Sequence, residues 1–459
     1  MATEKVLIAN RGEIACRIIR SCRKLGMSAV ALFSDADANA MHVKLADEVY
    51  HLGPAPARES YLKGELIVEI ARKAAARYVH PGYGFLAENA EFARAVEAAG
   101  LVWIGPRPAS IDDMGDKECA RKIAADAGVP VLPGSRRFAV NALEDVEAAA
   151  SAVGYPLLVK AAAGGGGIGM RQVRTPAELL QEVKTTQSLA ERSFGDGTVY
   201  LERFVAAARH IEIQVFGFGD GSAVHLFERD CSIQRRFQKI IEESPAPGLP
   251  DKVRERLAEA AVALCRHVSY RGAGTLEFVV DASSFEGYFI EMNTRIQVEH
   301  PVTEMVTGRD LVAMQLELAR GSVRHIAQSE MRPRGHAIEC RLYAENPDKN
   351  FLPSPGKLSV LELPAAGEGR RVDTGFQAGD TITPFYDPMI AKLISHGQDR
   401  REAIQIMREM LAETRIEGVK CNVDFLSRIM RDEDFVAGNI TTNFLTDRRP
   451  ALPAVPAHA

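Results

Sequence analysis

Over its first 115 residues the chain alternates short apolar runs with amphipathic stretches, and this alternation restricts the fold more than any other feature. Val6 to Ala9 predicts a strand, followed by a helix from about Glu13 to Leu25. Ser28 to Phe33 predicts a second strand, Tyr78-Val79 the end of another, and Leu101 to Ile104 one more. Such a strand–helix–strand rhythm calls for a parallel sheet covered by helices. The turn Asn10-Arg11-Gly12-Glu13 lacks the spaced glycines of a dinucleotide fingerprint, which argues against a Rossmann cofactor. His80 to Phe85 predicts a rigid loop ahead of a helix starting near Glu88, and by itself that loop reads as structural.

Pro130, Pro133 and Gly134 punctuate the next boundary. Beyond them the pattern predicts a helix over 142–152, a strand Leu157–Lys160, a glycine run and a strand Met170–Val173. Strands and hairpins dominate from Val199 to about Asn293, and a second boundary falls near Arg332 to Gly335. The remainder mixes strands with a helix from about Arg401 to Glu413, and Pro450 to Ala459 reads as a tail or linker. No internal repeat is present. A formal net charge of −5 gives no electrostatic reason to expect nucleic acid. No apolar run approaches the roughly 20 residues that cross a bilayer, and Val6 to Ala9 is too short for a signal peptide's apolar core. Seven cysteines without a CxxC or Cys/His cluster indicate neither zinc nor disulfides, and a cytoplasmic setting is the expectation. Arg235-Arg236 and Arg370-Arg371 read as solvated surface unless a site claims them.

Gly164 to Gly167, then Ile168-Gly169, follow a strand ending in Lys160 and lead into another strand. A Walker loop would run into a helix and end in Gly-Lys-Ser/Thr, which this one does not. Glycines let backbone amides approach polyphosphate, so the hairpin reads either as a nucleotide lid or as a flexible surface turn. Lys160, placed to hold a phosphate, tips the balance to the lid.

Gly274 to Asp281 and Gly287 to Asn293 predict two strands of one hairpin. A turn centred on Ser284 sets Glu277 opposite Glu291, with Asn293 on the same face and Leu276, Phe278, Ile290 and Met292 on the buried side. Opposed carboxylates repel unless a cation sits between them, and two carboxylates with an amide oxygen suit magnesium or manganese bridging phosphates. The alternative is a solvent-facing polar stripe. The polar run Thr294 to Pro301 follows at once. Arg295 and Glu299 there have the chemistry to bind an anion and take its proton, whereas His300, ahead of a proline, reads as structural. Cys231 has basic neighbours but reads first as a small buried hydrophobe, and Trp103 as core.

With these residues in place the chain resembles biotin carboxylase, an ATP-grasp enzyme, over nearly its full length. The matching segments are Ile8–Ile14, His80–Asn89, Met114–Lys117, Lys160–Met170, Glu228–Glu243, Arg271–Glu277, Glu291–Glu304, Glu339–Arg341 and Phe351–Lys357. The resemblance implies mixed α/β and α+β architecture: a flavodoxin-like N-terminal domain over 1–115 and an ATP-grasp domain over 116–330. Within the latter a mobile glycine-rich lid spans about 132–204. A β-rich C-terminal domain would cover 331–447, leaving 448–459 as tail. It also implies that MgATP and bicarbonate form carboxyphosphate, which carboxylates biotin on a separate carrier protein that works with a carboxyltransferase. Lys117 and Lys160 would contact nucleotide, Gly166 and Gly167 would be lid donors, and Glu202, Arg203, Phe204 and Val205 would run along the adenine. His210 and Gln234 would line the same pocket, with Lys239 near phosphate. Glu277, Glu291 and Asn293 would hold one or two Mg2+ or Mn2+ ions. Arg295, Gln297 and Val298 would hold bicarbonate, Glu299 would deprotonate it, and Arg341 would stabilise the enolate-like biotin oxygen.

Some positions depart from the family pattern. Phe237 replaces a frequent histidine and Ile168 a frequent basic residue, while Lys24 and Glu368 differ in character from dimer-interface residues and leave a homodimer open. The expected acceptor is an acyl-CoA such as acetyl-CoA. Alternatives are a urea-type or other carboxylase, another ATP-grasp ligase working through an acyl phosphate, or a non-catalytic ATP-binding scaffold. Biotin must come from elsewhere, since no Met-Lys-Met motif occurs.

Overall fold

The computed structural model describes residues 3–162, 169–235 and 238–448. Among these residues the N-terminal part folds as five parallel strands in the order Glu48–Gly53, Ser28–Ser34, Lys5–Ile8, Tyr78–His80, Val102–Trp103. Helix Gly12–Lys24 buries Ile14, Ile18, Ile19 and Cys22, an apolar stripe at helical spacing. Trp103 is core, edge-on to Phe92 at 5.6 Å. The edge strand Glu48–Gly53 has no sequence counterpart above, because it mixes polar residues with an exposed Val49 and only Leu52 is buried. Strand order reverses between Lys5–Ile8 and Tyr78–His80, the place where such sheets hold ligands. Here the protein closes that crevice itself. Asn10 Nδ2 donates to the carbonyls of Pro81 and Tyr83 at 2.7 Å each, and Arg11 pairs with Asp37 beneath the ring of Tyr386.

The central sheet has eight strands in the order Gly287–Asn293, Arg271–Asp281, Ala208–Phe218, Ala223–Arg235, Gln238–Ser244, His336–Tyr343, Met389–Gly397, Arg370–Thr374. It runs straight through the boundary expected near Arg332, because His336–Tyr343 pairs antiparallel with Gln238–Ser244. The C-terminal part therefore adds three strands to the central sheet and backs them with helix Arg400–Glu413, whose Ala403, Ile404, Met407 and Met410 enter the largest apolar cluster. Helix Asp251–His267 lies within the stretch read as strands and hairpins. Its buried stripe is built partly of alanines, Ala258 and Ala261, which mute the periodic signal.

The lid region forms its own antiparallel sheet in the order Met170–Val173, Leu157–Ala161, Val199–Arg203. Helices Val146–Val153 and Leu179–Phe194 close a separate cluster that includes Phe138, Leu157, Val159, Val183 and Leu201. Gly166, Gly167, Ile168 and Phe237 lie outside the described residues. Two basic residues read as solvated surface are instead structural. Arg235 pairs with Glu345 and stacks on Phe351, and Arg371 bonds Glu304 and Asp373 at 2.7 Å each.

Candidate active site

Cross-strand register sets Glu277 opposite Glu291, by a route the hairpin argument did not foresee. Val280 pairs with Gly287, so the turn is centred between Ser283 and Ser284, and an even ladder would bring Ile290 against Glu277. A bulge at Ile290 supplies the extra residue and swings Glu291 into line. Leu276, Phe278 and Met292 are buried as expected, but Ile290 is only half-buried and Phe289 takes its core position.

The cations beside Glu277 come from the protein. Its Oε1 accepts from Lys239 Nζ at 2.8 Å, Gln297 Nε2 at 2.9 Å and Asn293 Nδ2 at 3.0 Å, and its Oε2 lies 2.9 Å from His210 Nε2. Lys239 also reaches Glu212 at 2.5 Å and Glu299 at 2.6 Å. Burial opposes its charge, but Glu212, Glu277 and Glu299 hold its pKa well above the ordinary lysine value. Burial likewise opposes ionised Glu277, and Lys239 and His210 overcome it, leaving that pKa well below the carboxylate range. Glu291 is the unsatisfied partner. Burial, then the facing Glu277, raises its pKa, and among the described residues it makes no hydrogen bond or ion pair. A divalent cation would relieve that charge, and the carboxylate oxygens of Glu277 and Glu291 suit one, while Asn293 here turns its amide NH2 to Glu277 and its oxygen to Arg295.

The run after the hairpin is pinned from several elements. Arg295 donates to Glu88 at 2.9 Å and to Asn293 Oδ1 at 3.0 Å. Gln297 turns its oxygen to Arg229 at 2.8 Å, and Val298 gives its carbonyl to the fully buried Lys392 at 2.7 Å. Glu299, just ahead of helix His300–Thr307, lies 3.0 Å from Arg341 Nη2. Burial works against the Glu299 charge, yet Lys239, Arg341 and Arg229 keep it ionised, below the usual carboxylate range. His300 is buried, neutral and bonded through Nδ1 to the Gln297 carbonyl at 2.8 Å, the structural part expected of it. Cys231 is buried too. Burial pushes its thiol up, so it stays protonated despite basic neighbours.

The remaining predicted contacts form two further groups. On the lid strands Lys160 pairs with Glu202 at 2.7 Å, and Arg121 holds the other Glu202 oxygen at 2.9 Å. The next two residues, Arg203 and Phe204, are tied down by backbone bonds to Pro133 and Pro156 just ahead of Val205. Lys117 begins helix Lys117–Asp126 and its charge is felt by Glu291, while Gln234 approaches His210 Nδ1 at 3.4 Å. Sequence reading missed Glu88, Glu212, Arg229 and Lys392 as parts of the site. A charge inside an otherwise buried strand was the signal available for Glu212, Arg229 and Lys392.

Comparison with known proteins fits this geometry. Residues 2–111 match the profile of the biotin carboxylase N-terminal domain, and residues 339–447 that of the biotin carboxylase C-terminal domain. Between them, residues 116–325 match the carbamoyl-phosphate synthase L chain, ATP binding domain. Biotin carboxylase 1 of Bacillus subtilis is 48% identical over 96% of this chain and 98% of its own length. The chain belongs to the biotin carboxylase family, a group of ATP-grasp ligases. Methylcrotonoyl-CoA carboxylase subunit alpha of Rattus norvegicus is 49% identical over 99% of this chain, which spans 63% of that longer protein. The biotin carboxylase domain of Hydrogenobacter thermophilus 2-oxoglutarate carboxylase, solved as a dimer with MgADP, ADP and bicarbonate, superposes with a TM-score of 0.91. Identity there is 43%, covering 99% of this chain and 100% of the other. No helix among the described residues is long and apolar enough to cross a membrane.

Proposed function

We propose that this biotin carboxylase family member uses MgATP and bicarbonate to carboxylate biotin presented by a separate carrier. The observation that carries the reading is Glu299 held between Lys239 and Arg341, at 2.6 Å and 3.0 Å, with Arg295 and Gln297 one turn of chain away. Lys117, Lys160, Glu202 to Val205, His210 and Gln234 would bind nucleotide. Glu277, Glu291 and Asn293 would hold the metal, whose chemistry is to bridge and neutralise phosphate oxygens.

In the ligand-free geometry Lys239 spends its charge on three carboxylates. An incoming terminal phosphate competes for that ammonium, and each carboxylate it leaves becomes more basic. Glu299 then takes the proton of bicarbonate, which Arg295 and Gln297 orient, and the freed oxygen attacks the terminal phosphorus with ADP leaving. Carboxyphosphate splits into carbon dioxide and inorganic phosphate next to biotin, and the released phosphate takes the proton of the ring N–H. Arg341 stabilises negative charge on the ureido oxygen as the ring nitrogen attacks carbon.

The reading divides the chain into units of 1–115, 116–330 and 331–447, the second containing the lid. Its partners would be a biotin carboxyl carrier protein and a carboxyltransferase whose acceptor is an acyl-CoA. Its seven free thiols suit a reducing compartment such as the cytoplasm. The test is Glu299→Ala. Bicarbonate-dependent ADP release should fall at least a hundredfold while nucleotide binding, followed by calorimetry, persists. Wild-type turnover in that variant would reject the role.

A further inference from the structure

Beside Arg341 lies a second pair of carboxyl groups that the chemistry above leaves unused. Glu242 on Gln238–Ser244 and Glu339 on His336–Tyr343 are cross-strand partners, and both are fully buried. Such partners place their Cβ atoms about 5 Å apart on one face of a sheet. Glu339 shares that face with Arg341, two residues on, and Lys392 stands opposite Arg341 on the next strand. Ile241 and Cys340, their immediate neighbours on the two strands, belong to the apolar cluster on the other face. Helix His300–Thr307 covers the carboxyl face, with Val302 and Val306 packed on Ala337 and Ile394.

Hydrogen bonding there is sparse. Neither oxygen of Glu339 and neither oxygen of Glu242 has a donor among the described residues. Glu242 Oε1 does lie 2.6 Å from Arg341 Nη2, a close charge contact without hydrogen-bond alignment. The same nitrogen reaches Glu299 at 3.0 Å, so one corner of the guanidinium stands between the base and the pair. The groups facing the pair are Arg341 and Tyr343 on the strand of Glu339, Lys239 on the strand of Glu242, Lys392, and Glu299. From the covering helix comes His300, which burial keeps neutral. Two buried, ionised carboxylates side by side without donors are strongly disfavoured, and one proton removes the repulsion.

We propose that Glu242 and Glu339 are positioning residues for Arg341: Glu339 carries a proton, and the single charge on Glu242 anchors the guanidinium when Glu299 is neutralised. The role rests on the carboxylation reading above. When Glu299 accepts the proton of bicarbonate, its pull on Arg341 disappears at the step before Arg341 must meet the biotin oxygen. Glu242 supplies the pull that remains. Burial raises Glu242 to about 7 and Glu339 well above the ordinary carboxylate range, in keeping with one proton in the pair above pH 7. Below about pH 7 Glu242 is protonated as well and the anchor is lost.

Two isosteric variants test this. In wild type, KM for biotin should rise as pH falls through about 7. Glu242→Gln should raise KM for biotin about tenfold at pH 8 and abolish that pH dependence, with KM for ATP and biotin-independent ATP cleavage within about twofold. Glu339→Gln, a mimic of the protonated acid, should keep KM for biotin at or below the wild-type value. Infrared spectra at about pH 8.5, where Glu242 is ionised, should show a buried carboxylic-acid C=O band that Glu339→Gln removes. The proposal is overturned if Glu242→Gln leaves KM for biotin unchanged, if both KM values move together, if Glu339→Gln is as damaging as Glu242→Gln, or if the band is absent. Should wild-type enzyme ignore biotin, the reaction assigned to the site fails, and the infrared band alone decides the state of the pair.

Discussion

Arg229 shows how much of this site is decided by a residue that touches no substrate. It is fully buried and donates to Glu212 at 2.5 Å, Gln214 at 2.7 Å, Thr303 and Gln297 at 2.8 Å, and Thr275 at 3.2 Å. A guanidinium has donors only, so Gln297 must offer it the amide oxygen and turn its NH2 toward Glu277. Arg229→Lys keeps the charge but cannot reach five acceptors with three hydrogens. We expect KM for bicarbonate to rise about tenfold, the loss of one hydrogen bond to a charged group, with KM for ATP within about twofold. Steady-state kinetics with each substrate varied in turn would show it, and an equal rise in both KM values would contradict it. Glu277, Glu291 and Glu299 were legible in the sequence because carboxylates interrupt apolar strands or crowd a short polar run. Arg229 and Glu212 interrupt strands as well, but their partners lie up to 74 residues away, so spacing alone assigns them no role.

Among the elements, the hairpin and the helix on the far side of the sheet behave differently as sequence signals. The hairpin was readable from alternation, yet the bulge at Ile290 was not, since a one-residue insertion leaves the polar pattern intact and changes only register. Helix Arg400–Glu413 was readable from its periodic apolar face. What fastens it to the sheet was not, because that depends on Glu243, 157 residues earlier. Glu243 accepts from Arg400 Nε at 2.6 Å and lies 2.7 Å from His336 Nε2. Burial works against its charge, but Arg400 and His336 pull its pKa down to about 2. A depressed folded-state pKa contributes stability that is complete above the unfolded value near 4.3 and fades as pH falls toward 2. The shift corresponds to about 3 kcal/mol. Glu243→Gln should therefore lower Tm at pH 7, with the gap to wild type closing between about pH 4.5 and 2. Calorimetry at a series of pH values measures this, and a gap independent of pH would contradict it.

At the level of the whole molecule, Lys392 joins three stretches of chain that the sequence presents as separate. From the C-terminal part it lies 3.1 Å from Glu13 of the N-terminal sheet region and donates to the Val298 carbonyl, one residue before Glu299. Lys392→Met removes the donor of the Val298 carbonyl and the cation beside buried Glu13, which keeps only the Tyr83 hydroxyl, a loss of about 3 kcal/mol by analogy with other broken buried pairs. We expect a single unfolding transition at lower temperature together with weaker bicarbonate use. Two separate transitions would show that the parts unfold independently. The eight-stranded sheet has a consequence for how such a chain can be rearranged. A cut ahead of His336 would leave Gln238–Ser244 and His336–Tyr343 as raw edges, each a template for pairing with stray copies. The lid sheet shares no strand with it and has its own apolar cluster, whereas the N-terminal sheet, though it shares no strand, packs Ile14 and Ile18 into one cluster with Phe216, Leu226 and Leu316. Recombination between relatives should thus exchange the lid freely, while the N-terminal, central and C-terminal parts travel together as one inherited piece.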